Sequence, residues 1–185
     1  MAKHDNTLET LFEHGLDVRR RRVYVHGELG GEDVTSYDAV RALNYLDHNP
    51  GPIEIWINTP GGAIEEEFGL YDVIRGLKSQ ITTVGFGMVC SAGVLLLAAG
   101  DKRVALSNCW MMSHDFGTWH DGEGYAVEDR MAAEKRMRKR WAELLAGHTE
   151  KTAEWWLSEH KARHRELWLN ANQMLAHGII DEIRD

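Results

Sequence analysis

A serine, a glycine-rich turn and a histidine carry the chemistry this sequence offers. Ser91 lies in GFGMVCSAGVLLLAAG, residues 85–100, where an apolar run changes character. Upstream, ITTVGFG at 81–87 is short, β-branched and closed by glycines, the composition of a buried strand. Downstream, 92–99 is Leu/Ala-rich and stops at Gly100, which predicts a short helix. Ser91 is therefore expected at a helix N-terminus, where unpaired N–H groups and the positive dipole end favour a developing negative charge. Such a place suits a nucleophile, although serine is also a common N-cap.

A second glycine turn separates these readings. In INTPGGAIEEE, residues 53–58 alternate as a strand, Thr59, Pro60, Gly61 and Gly62 form a turn, and a helix begins near Ala63. Two parallel strand-to-helix junctions set side by side bring Gly62 and Ser91 to one sheet edge, where open α/β folds place their sites. There the Gly62 N–H can serve an oxyanion formed at Ser91. A strand-like SNCWMMSHDFG then ends its apolar run in His114, the general base that a serine nucleophile needs.

The order PGG, then CSAG with LLLAAG, then a strand ending in histidine resembles the proteolytic subunit of the Clp protease family, serine peptidases of the crotonase-like superfamily. The resemblance runs from about Val23 to Asp181. It implies an α/β spiral of ββα units with a protruding handle helix. It further implies Ser91 as nucleophile, His114 as base, and the N–H groups of Gly62 and Ala92 as oxyanion donors. Where the family has Gln-Pro after the histidine, this chain has Asp115-Phe116. Counting back from GIID at 178–181 puts the family's aspartate position on Glu166, provided three residues are inserted near the Trp155-Trp156 helix; Asp115 is the rival. The resemblance also implies stacked heptameric rings of identical subunits, an AAA+ unfoldase as partner, a cytoplasmic setting, and no metal or organic cofactor. A crotonase-type acyl-CoA hydratase or hydrolase and a catalytically inactive shell subunit are the alternatives.

The 185 residues fit one domain, 1–185, with an N-terminal segment at 1–22 and a handle region at about 116–147. A net charge of −8 disfavours nucleic acid or an anionic membrane as partner, and no apolar run has the length of a membrane span or signal peptide. Cys90 and Cys109 form no CxxC or metal spacing and read as buried thiols; Cys90 is a weak rival nucleophile. His160 and His164 have a zinc-compatible spacing but no accompanying third ligand. The arginine run 19–22 fits a phosphate patch less well than a salt-bridged junction.

Asp33 is expected to cap a helix whose Val34, Tyr37, Val40 and Leu43 form its core stripe. Glu65, Glu66 and Glu67 fan around the first turn of the helix after the PGG turn and are expected in solvent, while Ile64, Phe68, Tyr71, Ile74 and Leu77 are buried. A long helix at about 125–146 carries only a thin stripe of Val127, Met131, Met137, Trp141 and Leu144, which calls for a partner outside its own core. Chain 166–181 is expected to give Glu166, a Leu-Trp-Leu strand and a helix capped at Asn170.

Overall fold

The computed structural model describes residues 15–31, 36–49, 51–117, 121–163 and 166–185, with the side chains of 160–163 excepted. Asp33, Val34 and most of the segment 1–22 lie outside this range, as do the His160 and His164 side chains. The described strands are β1 (Leu16–Asp17), β2 (Arg22–His26), β3 (Ile53–Thr59), β4 (Ile81–Cys90), β5 (Lys102–Leu106), β6 (Trp110–Ser113), β7 (Leu167–Asn170) and β8 (Glu182–Arg184). The helices are α1 (Ser36–Asp47), α2 (Ile64–Gly76), α3 (Gly93–Ala98), α4 (Gly124–His148), α5 (Ala153–Arg163) and α6 (Ala171–Ala176).

β2, β3, β4 and β5 run parallel, because helices return the chain between β2 and β3 and at each later step. Ile53, Ile55 and Ile57 of β3 are fully buried and alternate with half-buried residues, the period-two pattern of a strand. α3 is buried along its whole length, from Gly93 to Ala98. An all-apolar segment of this kind has no solvent face to offer and sits inside the core.

One strand has two sets of neighbours. Thr82–Gly85 of β4 pair with β5, while Met88–Cys90 pair with β6. The exchange falls at Gly87, whose φ is 61°. β4 thus continues three residues beyond the 81–87 strand expected from sequence, and the continuation leads to Ser91. β6 then pairs antiparallel with β7, so the sheet divides beyond Gly87 into a parallel leaf and a β6–β7 leaf.

Three burial expectations change. On α1 the buried positions are Ser36, Ala39, Ala42, Leu43 and Leu46, while Tyr37 is 64% exposed. The apolar stripe is rotated because small residues, Ala39 and Ala42, allow the close approach to the sheet that tyrosine would prevent. On α2, Glu67 is 1% exposed. On α4 the stripe splits: Trp141, Ala142 and Leu145 are buried, whereas Met131 and Met137 are exposed.

The arginine run is a junction. Arg20 pairs with Asp17 and Arg22 with Glu54 at 2.7 Å. Arg21 donates to the carbonyls of Leu46, Asn49, Gly51 and Pro52, closing the end of α1 onto the start of β3. Among the described residues, no helix is long and apolar enough to cross a membrane.

Candidate active site

Ser91 follows β4 with φ of 52°, a left-handed conformation that disfavours any side chain. It is held there from both sides. Its N–H donates to Met112 C=O at 2.7 Å, continuing the β4–β6 ladder, and its C=O accepts from Val94 N–H at 3.0 Å. The N-cap of α3 is Ala92, which makes no side-chain cap bond. Ser91 is therefore one residue ahead of the expected cap position, and among the described residues no hydrogen bond occupies its hydroxyl. Neither backbone bond uses the Ala92 N–H.

The PGG turn lies against this serine. Gly61 has φ of 104°, and a Cβ there would stand 2.5 Å from Ser91 Cβ and 3.0 Å from Cys90 O. Gly62 has φ of 148°, and its Cβ would stand 2.1 Å from Leu29 O. Contact and conformation therefore both require glycine. Leu29 bridges the turn, its N–H donating to Gly61 C=O at 2.8 Å and its C=O accepting from Ala63 N–H at 3.0 Å. Neither bond uses the Gly62 N–H. Thr59 pins the turn from below: its hydroxyl donates to Gly27 C=O at 2.6 Å and accepts from Gly61 N–H at 3.0 Å. The same Thr59 methyl leaves no room for a side chain at Gly93, where a Cβ would approach Cγ2 to 2.5 Å.

Register places the histidine. Cys90 is level with Met112 across the parallel β4–β6 pair, so the chain leaving β6 carries His114 alongside the start of α3. Ser91, Ala92, Gly62 and His114 line one cavity of about 550 Å³. No hydrogen bond joins Ser91 to His114 among the described residues. Catalytic bonds are often long before substrate is bound.

The two candidate acids differ in their commitments. Asp115 forms an ion pair with Arg138 of α4 and accepts from Phe116 N–H at 2.8 Å. Glu166 immediately precedes β7, where Leu167 is level with Ser113, so the antiparallel register extended by one residue sets Glu166 opposite His114. Its Oε2 accepts from Trp168 Nε1 at 2.8 Å, on the exposed side of the strand, and no bond joins it to His114 among the described residues. The elements expected around it are present: β7 is the Leu-Trp-Leu strand, and Asn170 caps α6 through a capping box with Gln173.

Both cysteines are buried and free. Burial pushes the Cys90 thiol up, the bond from the Met112 backbone opposes this, and the charge of Glu166 adds to it. Burial, then Cys90, pushes Cys109 up to about 12. Raised thiols are poor nucleophiles, which favours Ser91 over Cys90. Among the described residues, no three His, Cys, Asp or Glu side chains group as a metal site.

Two residues at the site do more than sequence reasoning assigned them. Thr59, expected as the first residue of the glycine turn, ends β3 and pins that turn through its hydroxyl. Glu67 was expected in solvent, yet it is buried on the cavity wall with Oε1 accepting from Trp141 Nε1 at 2.9 Å. Its spacing gave a warning, since it lies four residues before Tyr71 and seven before Ile74, both buried. Of its neighbours, Glu65 is exposed and Glu66 accepts from the Ser36 hydroxyl.

Comparison with known proteins gives the same direction. A family model described as Clp protease matches residues 12–185. The ATP-dependent Clp protease proteolytic subunit of Carsonella ruddii is 30% identical over 169 residues, which are 90% of this chain and 84% of that protein. The ATP-dependent Clp protease proteolytic subunit 2 of Pseudomonas aeruginosa is 31% identical over 176 residues, covering 94% and 84%. The mixed α/β architecture, with its eight-stranded sheet, agrees with that family's crotonase-like fold. A family model over nearly the whole chain, joined to relatives that align along most of their own length, shows that this chain belongs to the Clp protease family.

Proposed function

We propose that the chain is a serine-type endopeptidase that cleaves unfolded polypeptide inside a homo-oligomeric compartment. The observation that carries this is the left-handed Ser91 at the end of β4, packed on Gly61 and sharing one cavity with Gly62, Ala92 and His114. Membership of a peptidase family gives the acyl-CoA hydratase or hydrolase and the inactive shell subunit no comparable support.

Ser91 Oγ attacks the peptide carbonyl while His114 takes its proton and later passes it to the leaving amine. The N–H groups of Gly62 and Ala92, which the neighbouring backbone bonds leave available, stabilise the tetrahedral oxyanion. Water then releases the acyl group from Ser91. Glu166 orients the imidazole. Its register opposite His114 and the commitment of Asp115 to Arg138 support this choice.

The relatives are named ATP-dependent, and this sequence has no GxxxxGK[ST] phosphate loop. ATP is accordingly consumed by a partner, an AAA+ unfoldase that feeds the compartment. The exposed part of α4 is the handle through which two heptameric rings meet.

The decisive experiment pairs Ser91→Ala with a fluorophosphonate probe. Peptide hydrolysis is expected to fall at least ~10⁴-fold, with thermal unfolding unchanged and labelling lost. Retained turnover, or a label on a different residue, rejects the assignment.

A further inference from the structure

Glu67 is a carboxyl group that the serine mechanism does not use. It is 1% exposed and lies on the wall of the cavity that holds Ser91 and His114. Oε1 accepts from Trp141 Nε1, and Oε2 makes no hydrogen bond or ion pair among the described residues. Glu67 is thus a wall residue of the cavity with one carboxyl oxygen engaged by an indole and the other not. The remaining wall offers apolar length from Ile64, Phe116 and Met137, together with the carboxylates of Glu28, Glu65 and Glu134. No lysine or arginine is among the described lining residues. The chemistry that complements such a wall is a long apolar stem ending in a cationic donor.

We propose that Glu67 is a specificity-determining residue, which makes the cavity accept lysine on the acyl side of the scissile bond, with the ammonium reaching Glu67 Oε2. This rests on the reading of Ser91 as a peptidase nucleophile. The stem of the lysine lies along Ile64, Phe116 and Met137 while its tip meets the carboxylate, as long cationic side chains pack elsewhere.

The proposal carries a pH signature. Burial pushes the Glu67 carboxyl up to about 8, and the bond from Trp141 works against that rise. The carboxylate that binds lysine therefore forms as pH climbs toward 8, while the lysine ammonium stays charged to well above 9. The other titratable groups on the wall are Glu28 from the loop after β2, Glu65 on α2 itself, Glu134 on α4 and His114 after β6; Arg138 of α4 is engaged by Asp115. The groups that act on the scissile bond are common to every substrate, so their contribution cancels when two peptides are compared as a ratio.

The test uses the full chain and two fluorogenic peptides that differ only in lysine or leucine at the acyl-side residue. The ratio of their kcat/KM values, lysine over leucine, is measured from pH 6 to 9. It is expected to rise up to about tenfold per pH unit below pH 8 and then level off, as one proton is released. Glu67→Gln should flatten the rise. Trp141→Phe removes the bond that lowers Glu67, so it should move the midpoint upward. A flat ratio in the parent overturns the assignment without needing any variant, and a rise that survives Glu67→Gln overturns it as well. Fluorophosphonate labelling of the parent runs alongside. A parent labelled at Ser91 with a flat ratio removes Glu67 alone, whereas a parent unlabelled at Ser91 removes the peptidase reading with it.

Discussion

The end of β4 and the first half of α4 obey opposite rules. Around Ser91, each small residue is dictated by a neighbour: Gly61 by the serine itself, Gly62 by Leu29, Gly93 by Thr59. Along α4 from Gly124 to Met131, most side chains face solvent, although Arg130 donates to Asp121 C=O. Tyr125 is 87% exposed, Met131 55%, and a Cβ at Gly124 would meet nothing within 4 Å. The first region is specified by packing inside one chain. The second carries apolar groups that the described residues leave exposed, the kind of surface on which a partner packs. Substitutions should therefore damage chemistry in one region and assembly in the other.

The largest contrast is between two glycines. Gly61→Ala drives a methyl into Ser91, and peptide turnover should fall by about 10³-fold, since small displacements at a reacting centre are severe. Gly124→Ala should alter stability by no more than ~0.5 kcal/mol and leave turnover alone. Equal damage from both would break the distinction. Next in size is the choice of acid. Glu166→Gln should lower turnover by about 10²-fold or more while Ser91 still reacts with a serine probe. Asp115→Asn should stay within about threefold; the reverse order would put the triad acid beside Arg138 rather than across the β6–β7 pair.

Assembly is probed by Tyr125→Ser combined with Met131→Glu. Light scattering should show a smaller particle, and circular dichroism an unchanged fold, because neither side chain belongs to the protomer core. Trp141 is unsuitable for that test, being 3% exposed and bonded to Glu67. A monomeric parent would remove the handle.

The smallest effect is on stability. Burial raises the Glu67 carboxyl from 4.5 to about 8, so between these values the folded chain holds a proton that the unfolded chain releases. The unfolded state then binds fewer protons, and stability falls as pH rises through this window. Glu67→Gln should remove that slope. Its Tm relative to the parent should be a few degrees higher at pH 8.5 than at pH 5, by roughly 2–4 °C per kcal/mol for a chain of this size. Parallel Tm curves for the two proteins would show that Glu67 is not the group responsible.

What the sequence revealed follows the range of the forces involved. Ser91, the PGG turn and His114 were legible because a strand-to-helix change, a glycine turn and the end of an apolar run are local signals. The position of Ser91 ahead of the cap was less so, because it depends on β4 exchanging β5 for β6 at Gly87, a contact between distant segments. Tyr37 and Glu67 were misplaced for one reason: helical spacing defines a face to within about one position, and only the packing partner decides which side of it is buried. For Tyr37 that partner is the sheet beneath Ala39 and Ala42. For Glu67 it is an indole from a helix 74 residues further along the chain.

The divided pairing of β4 also has a mechanical consequence. The glycine turn and His114 stand on different leaves of the sheet, and Ser91 lies at their junction, fastened along Met88–Cys90 and by the bond from its N–H to Met112. The molecule is built like a clasp: the glycine turn stands on one jaw, His114 on the other, and the short rivet at Met88–Cys90 sets how far apart Ser91 and His114 are held.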